Sequence, residues 1–118
     1  MTRVRGSEDC GNSPKNSFVE KIAIALETGQ VEAGDFSEGV VWERGQADKV
    51  IGRQAVTEAL ASNHQPDSLK IEHAISHGKT GAASGHVTFA NGETRRFCHV
   101  LEFTSVKANC LSMIWSYA

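Results

Sequence analysis

Long apolar runs are missing from this 118-residue chain, and no stretch approaches the roughly 18 residues that cross a bilayer. A surplus of positive charge is missing too. Twelve Lys and Arg stand against 14 Asp and Glu, for a net charge of −2, and no basic stripe is visible. That balance excludes nucleic acid as an expected partner, and the pair Arg95-Arg96 reads as a solvated strand end. Cysteine is scarce. Cys10, Cys98 and Cys110 fit neither a disulfide framework nor a Cys/His metal spacing. Cys98 and Cys110 suit neighbouring strands, where a bridge is conceivable, but reduced thiols acting as small apolar residues are the simpler reading. The opening MTRVRGSEDCGNSPKNS has two arginines and no apolar segment, so it is not read as a secretory signal. Residues 1–15 are expected to form a mobile polar tail, residues 16–118 a single domain, and the compartment to be the cytoplasm.

What the chain does have is two kinds of periodicity in sequence. In SFVEKIAIALETG, residues Phe18, Ile22, Ala25 and Leu26 recur with helical spacing, Ser17 or Asn16 can cap the start, and Gly29 can end it. FSEGVVWER is β-rich, and DKVIG is a short strand. It feeds a second helix in which Ala55, Val56, Ala59 and Leu60 share a face. From residue 68 the period becomes two. SLKIEHAISHG places Leu69, Ile71, His73, Ile75 and His77 on one face, and Asn91-Gly92 marks a hairpin into TRRFCHVLEF, with CLSMIWSY last. Two early helices followed by a run of strands predict an α+β fold with a curved antiparallel sheet wrapped around the helices. Gly78, Gly81 and Gly85 allow that sheet to bend into a cone.

The stretch RRFCHVLEF raises a chemical question. Phe97, His99, Leu101 and Phe103 form one apolar stripe with an imidazole in its middle. Such a histidine is either a hydrogen-bonded core residue or a titrating group in a cavity. His73 and His77 lie roughly 13 Å apart by strand rise, too far to chelate one ion, and no metal or organic cofactor is expected. Outward positions would include His86, Thr88, Arg96, Cys98, Val100 and Glu102, with Ser112, Ile114 and Ser116.

The order of elements, with VVWER, VIGRQAV and CLSMIWSY in their places, resembles the nuclear transport factor 2-like superfamily over residues 16–118. Within it the chain is most similar to the SnoaL-like branch, relatives of ketosteroid isomerases and polyketide cyclases. The resemblance implies a cystatin-like cone with an internal pocket. Counting from Gly52, it puts Glu43 where the isomerases carry a proton-shuttling carboxylate. Counting from Val100 to Phe103, it puts His99 where they carry the acid of the oxyanion hole. Ile22 falls at the tyrosine position, so the steroid isomerase reaction itself is not implied. Members of the superfamily differ widely in chemistry, and fold alone does not select one.

Glu43 and His99 are therefore the candidate catalytic pair. Trp42, His73, Phe97, Leu101, Phe103, Trp115, Tyr117 and Ile22 are the candidate walls of a substrate pocket. A histidine and a desolvated carboxyl group serve general acid/base chemistry, as in an isomerase, dehydratase, cyclase or hydrolase acting on a small apolar carbonyl or polyketide-like molecule. Two other classes stay open: a non-catalytic binder of an apolar ligand, and a dimerisation module. The resemblance implies a homodimer through the outer sheet face.

Overall fold

The computed structural model describes residues 2–7, 13–45, 48–62, 65–105 and 110–117. Cys10 and His64 lie outside them. The first helix, α1 (Pro14–Thr28), starts earlier than the spacing predicts. Pro14 occupies its first turn, and the Ser13 hydroxyl accepts from the Asn16 N–H at 3.2 Å, satisfying an amide that the helix leaves free. Gly29 ends it in the left-handed conformation, φ 79°, donating to the Ala25 carbonyl at 2.8 Å. The second helix, α2 (Arg53–Ala61), follows Gly52 (φ 97°), whose N–H is held by the Val40 carbonyl at 2.7 Å.

Among the described residues seven strands make one sheet: β1 (Arg3–Arg5), β2 (Phe36–Glu43), β3 (Val50–Ile51), β4 (Ser68–His77), β5 (Thr80–Thr88), β6 (Thr94–Phe103) and β7 (Leu111–Tyr117). Their spatial order is β1-β4-β5-β6-β7-β2-β3. The sheet is mixed where an antiparallel one was expected: β1 runs parallel to β4, and β2 parallel to β7. The expected tail is likewise part strand, since Arg3–Arg5 pair with Ser68, Leu69 and Lys70. The curved, unclosed sheet holds both helices on one face, and the α+β architecture matches the cone read from the sequence. Val19, Ile22 and Leu26 of α1 and Val56 and Leu60 of α2 pack there against Phe36, Leu69, Ile71, Leu101, Phe103 and Ile114. Each such side chain, fully buried, contributes about 1.5–3 kcal/mol of transfer free energy.

Register shifts in three strand pairs, β4–β5, β6–β7 and β2–β7, bear on which side chains face inward. In β4, Ile71 pairs with Gly85 and His73 with Ser84, so Glu72 is an extra residue. Leu69 and Ile71 point inward before it and Ala74 after it, which leaves His73 and His77 exposed and Ile75 59% exposed. The five-residue stripe expected on one face is thus split. Gly85 sits opposite the bulge, where any Cβ would run into the Lys70 carbonyl. In β7 the register shifts between Phe103↔Leu111 and Glu102↔Met113, making Ser112 the extra residue. Beyond it Ile114 and Ser116 turn inward and Trp115 outward, the reverse of the simple alternation.

Candidate functional site

The hydrophobic core occupies the middle of the cone, and a hollow opens at one end. Ile22, Leu101 and Phe103, expected as pocket walls, are fully buried in the core, and Phe97 lies beneath the site, stacked on the His99 ring at 5.2 Å between centroids. The hollow is a cleft of about 540 Å³ where α1, β2 and β7 end and β6 begins. That volume lies within the range of small-molecule sites. Trp42, Leu26, Phe89 and Tyr117 give it apolar walls, while Glu27, Arg44, Arg95, His99 and Ser116 give it polar ones.

His99 does face this hollow, with only 3% of its surface exposed. Its partner is not Glu43. Glu43 follows inward-facing Trp42 in β2, pairs across to Trp115 on the outer face, and reaches Lys49 at 3.7 Å. The carboxylate at the ring is Glu27, from the last turn of α1: Oε2 lies 2.6 Å from His99 Nε2. Arg95 donates to the other oxygen, Oε1, at 2.7 Å. On the far side of the ring, His99 Nδ1 lies 2.7 Å from Ser116 Oγ, which also accepts from Trp42 Nε1 at 2.8 Å. One line of hydrogen bonds therefore runs Arg95–Glu27–His99–Ser116–Trp42, drawn from α1, β2, β6 and β7.

An ionised Glu27 only accepts, so Nε2 must carry a hydrogen. Nδ1 then accepts from the Ser116 hydroxyl when the ring is neutral, and donates to it when the ring is charged. Burial pushes the Glu27 carboxyl up, but the hydrogen bond and charge of His99, with Arg95 behind them, outweigh it and hold the group below its ordinary 4.5. Every buried side-chain nitrogen and oxygen among the described residues has a partner.

Of the remaining expected residues, Trp42 and Tyr117 line the cleft, Tyr117 at its rim and 56% exposed, while His73 and Trp115 do not. Glu27 is not singled out by the sequence, while Arg95, read there as a solvated strand end, and Ser116, read as outward, both join the site. Glu27 had a signal: it sits four residues after Ala23 on the buried stripe, in a helix end where an acid opposes the macrodipole. Ser116 had none, because its inward turn depends on the bulge. Cys98 and Cys110 are free thiols.

No protein-family model and no curated protein sequence matches this chain. Solved structures do. A protein of unknown function from Mesorhizobium loti, described as NTF2-like, superposes with a TM-score of 0.70 at 13% identity, covering 99% of this chain and 98% of that one. The fold is nuclear transport factor 2-like. An NTF2-like protein of unknown function from Burkholderia xenovorans LB400 superposes at 0.69 with 12% identity over 87% of this chain and 79% of its own. A candidate ketosteroid isomerase from Kribbella flavida DSM 17836 does so at 0.70 with 18% identity, over 86% and 75%. These structures share the nuclear transport factor 2-like architecture with this chain and little sequence. Among the described residues no helix is long and apolar enough to cross a membrane.

Proposed function

We propose that this protein is a SnoaL-like, cofactor-independent enzyme that moves a proton on a small molecule held in the cleft. The observation that carries the reading is the hydrogen-bonded line through His99 to Ser116, whose hydroxyl borders the hollow. Ser116 Oγ takes a proton from the substrate as its own hydrogen passes to His99 Nδ1. The resulting imidazolium is balanced by Glu27, and the reverse transfer returns a proton to the substrate. Arg95 and Glu27 are positioning residues in this scheme, and Trp42 steadies the serine oxygen. The reaction class is isomerisation, dehydration, cyclisation or hydrolysis on a carbonyl-bearing, polyketide-like molecule. As in the family resemblance, the chain is proposed to work as a homodimer through the outer sheet face, where Val100 and Trp115 stand side by side.

A panel of ketones incubated with the protein in D2O tests this, with loss of the α-proton signal read by NMR. Wild type is expected to catalyse exchange on at least one member, and His99→Asn to exchange none. Equal rates in both, across the panel, would sink the catalytic reading. A second reading, a non-catalytic binder, draws on the fact that both ring nitrogens and both Glu27 oxygens already have protein partners. It predicts ligand binding without exchange.

A further inference from the structure

The charged groups around the cleft do not cancel. Arg44 and Arg95 line it, and among the described residues Glu27 is its one carboxylate, so with a neutral His99 that lining carries one net positive charge in a chain whose total is −2. Glu27 is fully engaged, Oε1 by Arg95 and Oε2 by His99. Arg44 is differently placed. Its guanidinium lies over the Trp42 ring, 5.1 Å from the centroid, and it donates to the Asp48 carbonyl at 3.2 Å. No carboxylate among the described residues pairs with it. Five N–H donors in a planar fork are more than one carbonyl uses, and stacking on an indole holds that fork flat. Arg95 lines the cleft too, with 43% of its side chain exposed and further donors beyond the one given to Glu27.

We propose that the cleft selects an anion: a molecule with a flat apolar body and a carboxylate, the carboxylate held by Arg44 with Arg95 beside it. The body lies against Trp42 and Phe89, and its other end reaches Ser116. The inference rests on the cleft being a small-molecule site and narrows the ligand class. Carboxylate on guanidinium is a charge-assisted, bidentate contact, and a site sheltered by aromatic walls strengthens it. A neutral apolar carbonyl compound is then the poorer match.

Calorimetric titration of the full chain with 1-naphthoate and its neutral isostere 1-naphthamide separates the possibilities. Naphthoate is expected to bind roughly ten-fold tighter at low salt. Arg44→Gln is expected to bring naphthoate down to the naphthamide level, and added salt to narrow the difference in wild type. Equal affinities, a preference for the amide, or a preference that survives Arg44→Gln would each overturn the selection of an anion while leaving the cleft a binding site. Binding of neither compound would overturn both.

Discussion

At Glu27 a carboxylate stands in the last turn of a helix, where free carbonyls already concentrate negative charge. It is stabilised there because two cationic or proton-bearing groups, Arg95 and His99, converge on it. Its pKa is depressed on folding, so it contributes stability that is fully present above its ordinary 4.5 and is lost as pH falls through the lower folded value. Glu27→Gln is expected to cost on the order of 1–2 kcal/mol at pH 7 and much less at pH 3. Urea unfolding of both proteins at the two pH values checks this, and an unchanged gap would mean the charge is not the cause. Ser116→Ala removes the acceptor for Trp42 and the partner of His99 Nδ1, leaving buried groups unmade at about 1–3 kcal/mol. The same variant should move the Nδ1 nitrogen resonance of His99 while leaving Nε2 on Glu27.

At the scale of elements, the bulges carry the most information. Gly85 faces the β4 bulge with no room for a side chain, whereas Gly39 in β2 has open space around its missing Cβ. Gly85→Ala should destabilise by about 2–3 kcal/mol and Gly39→Ala should be near neutral, as read from thermal or urea unfolding. A reversed order would place the strain elsewhere. These irregularities also set what the residues reveal in advance. The helices, the Asn91-Gly92 turn and the inward stripe of Phe97, His99, Leu101 and Phe103 follow from spacing and turn chemistry, and all are present. The facing of His73, Trp115 and Ser116 does not follow, because a bulge is one uncoupled residue with no compositional mark, and it flips everything downstream. Glu43 misled for a related reason. It is adjacent to Trp42, and only the phase of β2 says which of the two looks inward. The pairing of β1 to β4 is long-range, and no local pattern in three residues announces it.

For the whole molecule, the cleft end is polar and charged while the rest of the cone is filled by side chains. That division predicts that a bound ligand touches the termini of elements and leaves the middle of the sheet unchanged. Amide exchange with and without 1-naphthoate should differ at Arg44, Arg95 and Ser116 and not at Ile71 or Leu101. The proposed dimer belongs to the opposite face. Trp115→Glu is expected to convert a sedimenting dimer to a monomer, with naphthoate affinity kept. A monomeric wild type would sink that assembly.

Both margins of the sheet end in stubs, three residues of β1 on one side and two of β3 on the other. A foreign strand seeking to extend the ladder meets few rungs on the stubs themselves, although β1 registers with only Ser68, Leu69 and Lys70 of the longer β4. Growth of the sheet from chain to chain, the usual route to fibrils, is thereby discouraged on the stubs themselves.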